Sequence, residues 1–265
     1  MQKFLTALLA VGFLITLYLG QSHWNQERQA SAKNKPVHQS STSNIDDQNT
    51  EEQELLKLTS NWPANAVHQF KQSLKEDKPF TILFAGSPAI GSETDGSFPL
   101  IKEKLVKAFG ERHINVELKT FNLTSTQLLY QKKQAEIAAV NADLIIFEPF
   151  IQKNNGEVLI KDTLQNTSKI IDDVQANKPE TAFILQPAFP LYQAEIYPRQ
   201  VAELKKYAQE NKLTYLDHWT AWPDPTTAAM KDYLQPDMSA PSEQGYHVWS
   251  EYILNFLTNS KSESE

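Results

Sequence analysis

The stretch Phe80-Thr81-Ile82-Leu83-Phe84-Ala85-Gly86-Ser87-Pro88-Ala89-Ile90-Gly91 decides how the rest of the chain reads. Phe80–Ala85 is a short apolar run of the kind that forms a strand buried on both faces. Gly86-Ser87-Pro88 then breaks it, as a strand-to-helix connection does. A serine at the carboxyl end of a central strand, beside a glycine, can expose its hydroxyl at the rim of a sheet. Backbone N–H groups and a helix N-terminus can stabilise an oxyanion there. Glycine and serine are also ordinary turn residues, so by itself the stretch fits a plain connection as well as it fits a nucleophile.

Working outward, similar apolar runs recur at 115–121, 143–147, 181–186 and 214–217, with Leu144-Ile145-Ile146-Phe147 the most continuous. Helix-period stretches lie between them at 98–109, 125–140, 160–176 and 197–210. A last helix is expected over 242–257, capped by Ser242 with Glu243 and Gln244 in its first turn. This alternation predicts an α/β fold, a three-layer α/β/α arrangement around a flavodoxin-like, five-stranded parallel sheet. Sites in such sheets lie beyond the carboxyl ends of the strands. The chain shows no internal repeat.

The segment before Phe80 divides by composition. Residues 4–20 run apolar without a charge after a weakly positive start, which reads as a signal anchor or signal peptide over 1–20. Ala30-Ser31-Ala32 is the nearest small-x-small site and lies well downstream, so an uncleaved anchor is slightly favoured. Residues 21–50 are rich in Gln, Ser, Asn, Lys and His and read as a polar linker. Residues 51–78 form a leading helical segment with Leu55, Leu56, Leu58, Trp62, Val67 and Phe70 as a broken apolar face. Residues 79–258 form the main domain, and 259–265 a polar tail. The expectation is an extracytoplasmic protein, membrane-anchored by its N-terminal helix or secreted.

Composition excludes several classes of function. Of 265 residues, 40% are hydrophobic and 22% charged, which suits a globular fold. The formal charge of −7 leaves no basic stripe for phosphates, so nucleic acid is not expected as a partner. With no cysteine there are no thiolate metal sites, cysteine nucleophiles or disulfides. No histidine pair has ligand spacing near a carboxylate, so no metal is expected. No Walker-type loop or dinucleotide fingerprint is present, and no cofactor is implied.

Position along the chain gives Ser87 company. The third predicted strand runs into Glu148-Pro149-Phe150-Ile151-Gln152-Lys153-Asn154-Asn155-Gly156, a loop with amide side chains at the same rim. Near the end stands Asp237-Met238-Ser239-Ala240-Pro241-Ser242-Glu243-Gln244-Gly245-Tyr246-His247-Val248-Trp249. In this order and spacing the chain resembles the SGNH/GDSL-like hydrolase superfamily over 80–257. It is similar in particular to an exported Gram-positive branch, through Glu148-Pro149-Phe150 and Tyr215-Leu216-Asp217-His218-Trp219. The family's Gly-Asp-Ser-Leu motif, with a glycine four residues after the serine, maps onto Ala85-Gly86-Ser87-Pro88 and Gly91. Its Gly-x-Asn-Asp motif maps loosely onto 152–155. Its Asp-x-x-His-Pro motif with a following Gly-Tyr maps onto Asp237, Ala240, Pro241, Gly245 and Tyr246.

The resemblance implies a serine esterase acting on an ester of a lipid, sugar or cell-envelope polymer. Ser87 would be the nucleophile, Asn154 and the Gly91 backbone the oxyanion donors, and Asp237 the residue that orients a histidine. Three positions depart from the pattern. Ala240 stands where the base histidine belongs, Pro88 follows the serine, and Phe121-Asn122-Leu123-Thr124-Ser125 lacks the glycine of the second motif. His247, on the last helix, is the first replacement base to consider and His218 the second. Each is also readable as an ordinary helix or core residue. The alternative is a catalytically lapsed scaffold that binds an envelope polymer or partner. Trp219, Trp222 and Trp249 read either as core packing or as an apolar or sugar-stacking wall.

Overall fold

The computed structural model describes residues 43–260, with side chains from Thr50 onward. Five parallel strands form one sheet: β1 (Phe80–Gly86), β2 (Ile114–Thr120), β3 (Leu144–Phe147), β4 (Ala182–Leu185) and β5 (Thr214–Tyr215). Their order is β2-β1-β3-β4-β5, so β1 is flanked on both sides. Phe84 sits opposite Leu118 of β2 and Ile146 of β3. The helices in chain order are α1 (Ser43–Leu58), α2 (Ala64–Glu76), α3 (Phe98–Phe109), α4 (Ser125–Tyr130) and α5 (Gln134–Ala138). They continue with α6 (Ile151–Asn154), α7 (Ile160–Asn177), α8 (Tyr197–Glu210) and α9 (Glu243–Leu257).

The side-chain alternation of β1 explains its unbroken apolar reading. Phe80, Ile82 and Phe84 enter one core with Phe98, Leu105, Trp249 and Leu257, while Leu83 and Ala85 enter the other with Leu128, Ile170 and Leu204. Both layers exclude water, so neither face of the strand needs polar residues. The expected three-layer parallel architecture is the one found.

The elements differ from the sequence reading where local backbone geometry overrides periodicity. The leading helix is two: the chain turns after Leu58 and restarts behind Pro63, whose fixed φ suits a helix entrance. The expected helix over 125–140 is also two, because Lys132 adopts a left-handed φ of 56° between α4 and α5. The leading segment is part of the main core: Leu55, Trp62, Ala66 and Phe70 join the Phe80 face. Trp62 Nε1 also donates to the Leu257 carbonyl at 2.8 Å. The apolar segment over 4–20 lies outside the described residues, as do His23 and His38. Among the described residues no helix is long and apolar enough to cross a membrane.

Candidate functional site

The rim geometry begins with Gly86. A Cβ there would fall 2.6 Å from the Glu148 carbonyl oxygen and 2.7 Å from the Glu148 Cβ, so only glycine lets β3's exit pack this closely. Ser87 follows in extended conformation and caps a one-turn 3₁₀ helix, its Oγ accepting from the Ala89 N–H at 3.4 Å. The Ser87 N–H donates to Glu148 Oε2 at 2.8 Å. Glu148 is fully buried, and its Oε1 meets no hydrogen-bond partner at bonding geometry. Burial pushes its carboxyl above the usual carboxylate range. The Ser87 hydroxyl and the N–H groups of Ser87, Phe150 and Ile151 oppose that rise.

Ser87 opens onto a cavity of about 440 Å³. Pro88, Ala89, Phe189, Ala240 and Tyr246 give it apolar surface; Asn122, Gln152, Lys153 and Ser239 supply polar groups. The loops after β1, β2, β3 and β4 all contribute, so the cavity sits at the carboxyl ends of the strands, as expected for this sheet type.

Of the residues singled out in the sequence, Ser87, Pro88, Ala240 and Tyr246 meet in this cavity, whereas Asn154, Asp237, His247, His218 and Gly91 are not among those that line it. Asn154 is buried, and its carboxamide is fully used. Oδ1 accepts from the Ser125 N–H at 2.9 Å, while Nδ2 donates to Ser125 Oγ and Thr163 Oγ1, each at 2.8 Å. The Gly91 N–H donates to the Pro88 carbonyl at 3.0 Å. Asp237 is exposed; its Oδ1 accepts from the N–H and hydroxyl of Ser239. Those hydrogen bonds hold its carboxyl below the usual range.

His247 is exposed on α9. His218 is wholly buried and stacked on Trp249 with ring centroids 4.8 Å apart. Its Nε2 lies 2.9 Å from the Pro187 carbonyl, and its Nδ1 accepts from Trp222 Nε1–H at 3.1 Å. That pairing assigns the proton to Nε2, and burial lowers the pKa to about 4. Trp222 and Trp249 are therefore core groups, and Trp219 donates to the Ala188 carbonyl at 2.7 Å. The aromatic side chains of the cavity are Phe189 and Tyr246 instead.

The sequence reading placed the 152–155 stretch at the rim but chose Asn154 from it, where Gln152 and Lys153 are the lining residues; it missed Asn122 and the partnership of Glu148 with Ser87. The signal was available for both: Asn122 lies just past the end of β2, and Glu148 directly follows β3. Both occupy the strand-end positions where α/β sheets build sites.

No family model and no curated protein matches the chain. Solved structures do match. A protein assigned to the lipolytic G-D-S-L family from Desulfitobacterium hafniense superposes with a TM-score of 0.52 at 20% identity, covering 66% of this chain and 98% of its own. A catalytic mutant of an acetylxylan esterase from Geobacillus stearothermophilus gives 0.54 at 14% identity, covering 68% and 94%. A GDSL-like lipase from Bacteroides thetaiotaomicron gives 0.50 at 16% identity, covering 72% and 98%. The fold is that of the SGNH/GDSL-like hydrolases. On this SGNH scaffold the exit of β3 carries Glu148-Pro149-Phe150, and Asn154 follows one helical turn later, turned into the protein. The arrangement offers a ligand the hydroxyl-bearing side chains of Ser87, Ser239 and Tyr246, two carboxamides, an ammonium and an apolar wall. It offers no imidazole among the described residues that line it.

Proposed function

We propose that the Ser87 cavity binds an ester or related derivative of a lipid, sugar or cell-envelope polymer, on an exported SGNH-type scaffold that lacks triad turnover. One observation carries this reading: Ala240 lines the cavity beside Ser87, at the position the resemblance gives to the base histidine. His218 has both ring nitrogens engaged in the core, and His247 is exposed and outside the lining. A serine hydroxyl without a base is a weak nucleophile at neutral pH, and losing a triad member typically costs several orders of magnitude. The oxyanion donors implied by the resemblance, Asn154 and the Gly91 N–H, are already committed to other acceptors, as is the Ser87 N–H.

A fluorophosphonate probe tests the reading. No Ser87-dependent labelling is expected, and p-nitrophenyl acetate should be hydrolysed equally by the wild type and Ser87→Ala. Stoichiometric labelling that Ser87→Ala abolishes would overturn it. The second reading, an active serine esterase, draws on the position of Ser87 at the end of β1 within a ligand-sized cavity. On the scaffold that lacks a base, Ala240→His should restore one and raise esterase activity by roughly 10²–10⁴-fold, the usual contribution of general-base assistance; no gain would mean that the oxyanion donors are missing too. Export and membrane attachment rest on the apolar run over 4–20. Protease added to intact cells should digest the main domain; protection until lysis would reverse the topology.

A further inference from the structure

The cavity and the protein as a whole differ in charge. The chain carries a formal −7, yet no aspartate or glutamate lines the Ser87 cavity, and Lys153 does. Lys153 is half-buried and has no ion-pair or hydrogen-bond partner among the described residues. Some lysines elsewhere are paired, as Lys104 is with Glu251, Lys178 with Asp143 and Lys205 with Asp217, while others, Lys119 among them, resemble Lys153 in having no such partner among the described residues; what sets Lys153 apart is its place in the cavity lining. Three carboxyl groups act on lining residues without lining the cavity themselves, Asp95 on Tyr246 being one of them. Asp237 is folded onto Ser239, and Glu148 is buried behind Ser87, where desolvation favours its neutral form.

The position of this ammonium is fixed from below. Lys153 and Gln152 ride on α6, a single turn too short to hold its shape by its own hydrogen bonds. The next residue, Asn154, clamps that turn to Ser125 of α4 and Thr163 of α7 through three hydrogen bonds of 2.8–2.9 Å. The amide that the sequence pattern suggested as an oxyanion donor is thus the anchor of the segment that delivers Gln152 and Lys153 to the cavity.

We infer that the cavity takes an anionic ligand, a carboxylate or phosphate ester carried on a sugar-sized polyol, with Lys153 as its counter-charge. The carboxamides of Asn122 and Gln152 are placed to meet hydroxyl groups, and Phe189 and Tyr246 offer flat apolar surface to a ring. A volume of about 440 Å³ accommodates a ligand of that size. This inference rests on the reading of the cavity as a ligand site.

The test titrates the full chain with sn-glycerol 1-phosphate, glucuronic acid and neutral N-acetylglucosamine by saturation-transfer NMR. At least one charged probe should bind more tightly than the neutral sugar. Lys153→Met should weaken it by about tenfold or more, the usual worth of a hydrogen bond to a charged group, and added salt should weaken it further. Phosphate or carboxylate preference then distinguishes the two anion sources. Ser239→Trp, an exposed rim position, should block all binding in the cavity. Binding that Ser239→Trp blocks, but that ignores probe charge and Lys153→Met, would overturn the anionic assignment while leaving the cavity reading intact. Failure of all three probes to bind would overturn both.

Discussion

At the amino end of β1, Phe80 packs among Trp62, Phe70 and Phe109 with ring centroids 5.2–5.6 Å apart, and none of the four is more than 5% exposed. At the carboxyl end, Ser87 sits between a cavity and a buried carboxyl group with one unpartnered oxygen. One strand thus joins a region packed with apolar rings, where the Trp62 N–H is satisfied by the Leu257 carbonyl, to one where space and polarity are left over. Tight apolar packing yields stability, whereas unfilled space and an under-satisfied polar group cost stability and are retained where a ligand is handled. The amino end should therefore dominate unfolding, and the carboxyl end should respond to pH and ligand.

Phe70→Ala should give the largest effect. Removing a wholly buried ring from the aromatic cluster should cost about 3–5 kcal/mol in chemical denaturation. A loss below about 1 kcal/mol would remove the contrast between the two ends.

His218 tests the other side next. Its pKa is depressed to about 4 in the fold against 6.5 when exposed, so the unfolded chain binds the proton first. Its contribution is present above pH 6.5 and is lost as pH falls from 6.5 to about 4, by about 3 kcal/mol. Glu148 acts in the opposite sense. Its raised pKa favours folding at low pH and loses that contribution as pH rises past 4.5. Denaturation midpoints of His218→Gln and wild type measured across pH 4–7 separate the two. The variant should lack the acid-side decline.

A smaller effect is expected from Gly86→Ala, about 1–3 kcal/mol, since the new methyl meets the Glu148 backbone at 2.6 Å. Urea unfolding that leaves the variant as stable as wild type would show that β3's exit can move. The smallest effect should come from deleting residues 1–49. The remaining unit carries its own core, and its thermal unfolding should stay cooperative. A broadened transition would mean that the polar segment packs on it.

The strands were legible because runs such as Leu144–Phe147 are buried on both faces and need no polar alternation. The break between α4 and α5 was not, since the left-handed φ of Lys132 has no glycine to announce it, whereas Pro63 did mark the one between α1 and α2. Ser87 could be picked out by its place after an apolar run, and Ala240 by its spacing from Gly245 and Tyr246. The function of Asn154 could not. Its partners Ser125 and Thr163 are brought to it from separate helices, and only the fold shows that its amide is spent. The same holds for His218, whose burial depends on Trp249 approaching from the last helix.

The anchoring of the first and last helices to each other has a mechanical consequence. Trp62 and Asn61 hold the carbonyls of Leu257 and Phe256, and Asn259 holds that of Lys57, so the carboxyl ends of α1 and α9 are fastened together at one place. Ser87 lies seven residues along β1 from Phe80, roughly 23 Å at the usual strand rise. Tension applied through the two ends would load the Trp62 contact and peel the terminal helices apart before it reached the strand ends. The cavity takes Tyr246 from the first turn of α9, so it would be reached only after the far end of that helix had been unfastened.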